Sequence, residues 1–371
     1  NLQGATLYVT LEPCCSYGKT SPCTDAIIHA GIRRVVAAMI DPNPKVSGKG
    51  IRQLRDAEIE VEVGLLEPQA RRLNEAFIKY QTTGLPFVIA KFAMSLDGKI
   101  ATKTGESKYL TNEASRAYVH TLRDQVDAIM VGIGTVLADD PLLTIRLPDA
   151  SGKNPYRIIV DTRLSIPLNS KVVTDTSEAK TVIFTGEQSD QQKARMLRDK
   201  GVDIQTVAYD EQYVYPPLPP FRSRAVKFLA SVRGEPVEPH QKSALRQAQG
   251  ERYDPDIPEN LTALPFRRGG YSEEYRRLNL RKVFEILGKQ EMLSVLLEGG
   301  AELNGSAFMQ RLVDKVLVFI APMIIGGKEA QSPVEGIGIE TLREAVKLTQ
   351  VTAHRFGDDI LVEGYVERMK D

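Results

Sequence analysis

Apolar residues in the first 65 positions fall into short runs separated by turn-forming loops. GATLYVT (Gly4 to Thr10), rich in β-branched and aromatic residues, predicts a buried strand. LEPCCSYGKTSPC follows as a loop, and TDAIIHAG predicts a short helix ended by Gly31. RRVVAAMID is a second buried strand, with Arg33 and Arg34 at its mouth. A Pro- and Gly-rich loop from Asp41 to Gly50 leads into IRQLRDAEIEVEVG, a helix and then a strand. This alternation predicts an α/β layer with mainly parallel pairing. Three strands leave bare sheet edges, so 1–66 is expected to be the end of a domain that starts upstream.

EPQARRLNEAFIKYQTTGLP (67–86) has the spacing of one amphipathic helix and is expected to be a linker. From residue 87 onward the alternation resumes. FVIAKFAMS, DAIMVG, YRIIVDT, KTVIFTG, VDIQTV, MLSVLLEGG and VDKVLVFIA predict strands, and KLTQVTAHRFGDDILVEGYVE supplies the closing ones. Helices are expected at Thr111 to Gln125, after Gly132, at LNLRKVFEILGKQ and at AELNGSAFMQRLV. This makes 87–371 a second α/β domain, interrupted at about 210–277, where the periodicity disappears. Residues 222 to 252 hold seven Lys/Arg against three Glu, but lack the interleaved aromatics of a nucleic-acid arm. The stretch, which resembles translated repeat DNA, is expected to be a surface insertion without chemical role.

Composition narrows the class. The chain has 371 residues, 42% apolar and 26% charged, with 48 Lys/Arg balancing 48 Asp/Glu. No global charge field draws nucleic acid or an anionic membrane, and no apolar run approaches the roughly 18 residues of a bilayer span. Three cysteines, all within the first 23 residues, make a site rather than a disulfide framework and point to a reducing, cytoplasmic setting. Cys14 and Cys23, with eight residues between them in the loop after a strand, have the spacing of two zinc thiolates; two buried small side chains is the other reading of the spacing alone. A hydrolytic zinc site also needs a third ligand and a proton-shuttling Glu, and none of the four histidines (29, 120, 240, 354) has Glu two positions on. In the second domain, Gly132-x-Gly134 and Gly299-Gly300 follow strands and lead into helices. There, backbone amides can hold a pyrophosphate, although a tight turn explains either alone.

VTLEPC, TSPCTDAI, HAGIRRVV and DPNPKVSGKGI resemble the deaminase half of the bifunctional deaminase/reductase family of riboflavin biosynthesis. SLDGKIA, TGESKYLTNE, VGIGTVLADDPLLTIR, VDTRLSIP, AELNGSAF and FIAPMIIGG resemble its reductase half. The resemblance implies a partial cytidine-deaminase-like domain followed by a dihydrofolate-reductase-like α/β domain. It implies NADPH-dependent reduction of the ribosyl group of 5-amino-6-(5-phosphoribosylamino)uracil to the ribityl form, with no dedicated catalytic side chain. By resemblance, Ala93, Tyr109, Thr135, Asp139, Thr162 and the run Gly300, Ala301, Glu302, Leu303, Asn304, Gly305, Ser306 hold the cofactor. The family most often has Trp where Tyr109 stands. Ser107, Lys108, Arg123, Leu143, Arg146 and Glu298 meet the substrate, with Arg123 and Arg146 suited to its phosphate and Glu298 to the pyrimidine N–H groups. Cys14 and Cys23 are implied zinc ligands, and a homo-oligomer (dimer or tetramer) is implied. The family's His ligand and Glu lie upstream of the first strand, so the sequence as given is expected not to deaminate. Three readings stay open: a reductase with an incomplete deaminase, a bifunctional enzyme whose true start lies upstream, and a nucleotide-binding or assembly module without turnover.

Overall fold

A computed structural model describes residues 2–18, 20–147, 153–175, 179–210 and 277–367. Residues 1–208 and 278–371 belong to one compact unit. The expected insertion lies, over 211–276, outside the described residues.

The first strand run pairs as expected. Strands β1 (Thr6–Val9), β2 (Arg34–Ala37) and β3 (Glu60–Val63) form a parallel sheet in that order. Helices α1 (Cys23–His29) and α2 (Lys49–Asp56) cover it, burying Ile27, Ile32, Val35, Leu54 and Ile59 together. The buried Glu12 carboxylate holds the two long loops at the sheet's end. It accepts backbone N–H bonds from Asp41 (3.1 Å), Gly48 (2.8 Å), Gly50 (2.9 Å) and Ile51 (3.2 Å). A Cβ on Gly50 would lie 2.0 Å from the Pro13 carbonyl oxygen, so this close approach requires glycine.

The single helix expected over 67–86 is two helices, α3 (Glu67–Leu73) and α4 (Glu75–Thr83). The break falls at Asn74, whose Nδ2 donates to the Ala70 carbonyl at 2.9 Å and so competes with the helical ladder. Gly84, at φ +71°, ends α4.

Among the described residues nine strands form the second sheet. These are β4 (Phe87–Ser95), β5 (Ala128–Gly132), β6 (Tyr156–Val160), β7 (Thr181–Thr185), β8 (Asp203–Thr206), β9 (Ser294–Leu297), β10 (Lys315–Ala321), β11 (Leu348–Phe356) and β12 (Asp359–Val366). Their spatial order is β11-β12-β10-β4-β9-β5-β6-β7-β8. The seven from β10 to β8 are parallel neighbours, and β12 and β11 add an antiparallel edge. The inner strands are near-continuous apolar runs because both faces are covered. Ile129, Val131, Ile159, Ile183 and Ile204 share one apolar cluster with Val136, Leu143, Val172 and Leu197. Leu296, Leu317, Phe319 and Leu361 share another with Leu122 of α5 (Glu113–Asp124). Helix α5 starts two residues later than Thr111, because Asn112 is the cap: its Oδ1 accepts from Ser115 N at 3.0 Å. The remaining helices are α6 (Ile133–Asp139), α7 (Lys171–Thr174), α8 (Gln191–Asp199), α9 (Leu280–Lys289) and α10 (Ala301–Met309).

One ion pair fastens α4 to the large sheet. Lys79 Nζ lies 2.6 Å from Asp314 Oδ1, with side chains only 11% and 5% exposed, while Asp314 Oδ2 accepts from Val88 N at 3.0 Å. Removing one partner strands a buried charge. Lys79→Met, which keeps the apolar stem, is expected to lower unfolding free energy by about 3 kcal/mol in urea titrations. A loss below about 1 kcal/mol would mean the pair behaves like a surface bridge.

Candidate active site

Because β4, β9, β5 and β6 run parallel, their carboxyl ends open on one edge of the sheet, where α/β folds place ligands. Gly132 ends β5, Glu298, Gly299 and Gly300 follow β9, and Thr162 follows β6, so these expected residues stand at that edge. The β5–α6 turn and the β9–α10 turn are neighbours there, with Gly132 N donating to Gly299 O at 3.2 Å. Gly299 and Gly300 have φ of +136° and +86°, and a Cβ on either would meet Thr135 Oγ1 at 3.5 and 3.7 Å. Helix starts α6 and α10 follow Gly132 and Gly300, and no side chain caps either. A Cβ on Gly134 would meet nothing within 4 Å. Two uncapped, glycine-led helix starts lie side by side, an arrangement that fits the phosphates of a dinucleotide.

The run from Gly300 to Ser306 is divided by the fold. Gly300 and the exposed Glu302 remain accessible at the helix start, whereas Ala301, Leu303, Asn304, Gly305 and Ser306 are buried. A Cβ on Gly305 would come within 1.6 Å of the Glu335 carbonyl oxygen, and Asn304 Nδ2 donates to Pro333 O at 2.8 Å. The second half of the motif therefore packs the 333–335 segment against the helix. Asn304 Oδ1 is buried without a hydrogen-bond partner.

Glu298, one residue past β9, is the electrostatic centre. Its Oε1 accepts from Arg123 Nε at 2.6 Å and its Oε2 from Arg123 Nη2 at 2.8 Å, a bidentate fork; Lys91 Nζ of β4 lies 3.4 Å from Oε2. Burial pushes this carboxyl up, but the charges of Arg123 and Lys91 outweigh it and hold it at about 2. The fork edge expected to take phosphate is thus spent on Glu298, and Arg123 Nη1 donates to Thr144 O at 3.0 Å. His120 lies one turn before Arg123 on α5, and its Nδ1 accepts from Arg146 N at 3.2 Å. Burial, then the charges of Arg123 and Arg146, push His120 down to about 4, so the ring is neutral at physiological pH.

The other expected residues divide. Arg146 is exposed, whereas the Leu143 side chain lies in the apolar core with its backbone at φ +53°. Lys108 Nζ lies 3.5 Å from Asp139 Oδ1 and donates to Asp139 O at 3.2 Å, joining two residues assigned to different ligands. Tyr109 is 71% exposed, and the Arg116 guanidinium stands 4.5 Å over its ring. Ala93 packs beside the Leu296/Phe319 cluster, and Ser107 is half-buried. Thr162, just past β6, accepts from Gly186 N at 3.0 Å through its carbonyl. The structure adds Lys91 and His120 to these, with Arg157 of β6, whose Nη1 donates to Leu142 O at 3.3 Å. The signal for Lys91 was a lone lysine in the apolar run FVIAKFAMS; for Arg157 it was a lone arginine in YRIIV.

In the first sheet, Cys14 Sγ accepts from Cys23 N at 3.3 Å, and the thiols are close enough for Cys14 to raise the Cys23 thiol. They fit two positions of a tetrahedral zinc site. Among the described residues no group of three His, Cys, Asp or Glu could hold a metal ion.

The architecture is that of an α/β enzyme domain with adjacent glycine-led helix starts, following a segment with two neighbouring cysteines. Residues 86–217 and 237–362 match the RibD C-terminal domain, and residues 1–39 match the cytidine and deoxycytidylate deaminase zinc-binding region. The riboflavin biosynthesis protein RibD of Actinobacillus pleuropneumoniae is 38% identical over 98% of this chain and 79% of its own length. That of Bacillus amyloliquefaciens is 37% identical over 100% of this chain and 81% of its own. The solved structure of Acinetobacter baumannii RibD superposes with a TM-score of 0.71 at 28% identity, covering 99% of this chain and 82% of that one. The chain belongs to the RibD family of riboflavin biosynthesis proteins. Among the described residues no helix is long and apolar enough to cross a membrane.

Replacing Glu298 by Gln leaves Arg123 and Lys91 without their counter-charge, with an expected cost of about 3 kcal/mol near neutral pH. The folded carboxyl sits at about 2, below the unfolded value of about 4.3, so its contribution is full above the unfolded value and is lost as pH falls toward the folded one. Urea titrations of wild type and E298Q should therefore draw together as pH falls from about 4 and meet only near pH 2. A gap that stays constant into acid would show that the charge is not what stabilises.

Proposed function

We propose that the second domain reduces 5-amino-6-(5-phosphoribosylamino)uracil to its ribitylamino form with NADPH. The supporting observation is the pairing of two uncapped glycine turns with the Glu298 cluster on one sheet edge. A related solved structure from Thermotoga maritima (28% identical, TM-score 0.66) is that of a diaminohydroxyphosphoribosylaminopyrimidine deaminase/5-amino-6-(5-phosphoribosylamino)uracil reductase. When bound, NADPH supplies the hydride that the sugar C1 receives. Gly132, Thr135, Gly299 and Gly300 would hold it, with Asp139, Tyr109, Thr162 and Ala93 along the same edge. Glu298, kept ionised by Arg123, accepts from the N–H groups of the pyrimidine. Lys91 Nζ, 3.4 Å from that carboxylate, is the donor suited to protonate the sugar ring oxygen as the ring opens. Arg123 orients Glu298, so the ribose phosphate is left to Arg146, with Ser107 and Lys108 beside it.

Purified protein is expected to oxidise NADPH with this substrate, and Arg146→Ala is expected to raise the substrate KM by about tenfold or more while leaving the NADPH KM within about twofold. NADPH binding without oxidation would sink the reductase reading; an equal rise in both KM values would sink the phosphate role.

Cys14 and Cys23 are the zinc ligands this chain offers to the deaminase chemistry of its relatives. Two thiolates do not complete a site, so we derive no hydrolytic step from them. Zinc is expected to be substoichiometric and readily chelated; one tightly held zinc per chain by elemental analysis would contradict this. The reducing, cytoplasmic setting rests on these free thiols. A homo-oligomer is supported by the open edge of the large sheet, where β11 carries the exposed Val351.

A further inference from the structure

We propose that His120 is a positioning residue for the phosphate end of the substrate, fixing the backbone of Arg146 so that its guanidinium is presented at the cleft. The proposal rests on the reading that Arg146 meets the ribose phosphate. The backbone from Leu142 to Arg146 is held at four residues by side chains of α5, β6 and the loop before β6. Arg157 Nη1 of β6 donates to Leu142 O at 3.3 Å, and Arg123 Nη1 of α5 donates to Thr144 O at 3.0 Å. Ile145 N donates to Asn154 Oδ1 at 2.8 Å, and Arg146 N donates to His120 Nδ1 at 3.2 Å. Between the first two pins Leu143 takes φ +53° with its side chain in the core. A leucine persists in that region only where its surroundings over-determine it.

Three of the pins hold the approach to Arg146, and His120 holds Arg146 itself. Among the described residues no carboxylate pairs with Arg146, so its charge is left for a ligand. The ring suits the task because it must accept an N–H bond among cations. Arg123, Arg146 and Lys91 face it against the single carboxylate of Glu298, which with burial keeps it neutral. With Nδ1 as acceptor, the ring proton is on Nε2. His120 and Arg123, three residues apart on one face of α5, thus give one helix control of both ends of the substrate. Arg123 aims Glu298 at the pyrimidine, and His120 aims Arg146 at the phosphate.

The test is steady-state kinetics on the full chain with the phosphoribosyl substrate and its dephosphorylated counterpart. His120→Leu removes the acceptor and keeps the bulk; it is expected to raise the KM of the phosphorylated substrate about fivefold to tenfold, with kcat and the NADPH KM within about twofold. His120→Asn, whose Oδ1 stands near the place of Nδ1, is expected to restore the KM, and H120Q, whose amide lies one bond too far, is expected to behave as H120L does. On the dephosphorylated substrate all variants should match wild type. In an Arg146→Ala background H120L should add nothing, since no side chain is left to aim. A normal KM in both H120L and H120Q, or an H120L effect undiminished in R146A, overturns the positioning role while the phosphate reading survives. R146A with unchanged KM overturns the phosphate reading and this proposal with it. Should H120L fail to fold, the contrast between H120Q and H120N decides.

Discussion

The buried carboxylate of Glu298 is the constraint around which one edge of the large sheet is arranged. It is brought to the end of β9 in a nearly water-free position, with its side chain 6% exposed. An ionised carboxylate there is tolerable only with its charge answered. Arg123 answers from α5 and Lys91 from β4, so one acidic group ties a helix and two strands together at the edge where ligands enter. The same requirement sets how the neighbouring cations are used. Arg123 uses one edge of its guanidinium on Glu298 and its remaining arm on the Thr144 carbonyl, whereas Arg146 is left exposed.

Beside this electrostatic centre, the pair of glycine-led turns is built from absence of side chains. Gly299 and Gly300 occupy backbone conformations that L residues rarely adopt, and they let the β9–α10 turn lie against the β5–α6 turn. Gly305, in the same sequence motif, serves a different purpose, since the Glu335 carbonyl occupies the space of its missing Cβ. The first sheet uses the same device, where Gly50 admits the Pro13 carbonyl and Glu12 gathers four backbone N–H groups. Close backbone approach, permitted by glycine and accompanied by a buried acceptor, is how both sheets hold long loops.

Much of this was legible in the chain. The strands of both sheets, the glycine-led helix starts and the paired cysteines follow from local pattern, because each depends on residues within one or two turns of one another. Local pattern erred where a side chain competed with the backbone. Asn74 divides what reads as one helix, and Asn112 caps α5 one residue after Thr111. Lys91 and His120 were overlooked because a single polar residue in an apolar run or on an amphipathic helix has no distinguishing periodicity.

Sequence by itself determined the alternating α/β architecture, the membership of the chain in its family, and the positions of the glycine-led turns and the paired cysteines. These are written in short motifs whose residues lie close together along the chain. Tertiary structure alone decided which charge answers which. Arg123 and Glu298 stand 175 positions apart and meet only because β9 inserts between β4 and β5, beneath α5. The contrast between Arg123 and Arg146 has the same origin. Two arginines of equal chemistry differ in setting because one is buried against a carboxylate and the other stands in solvent, and burial is a property of the packed fold.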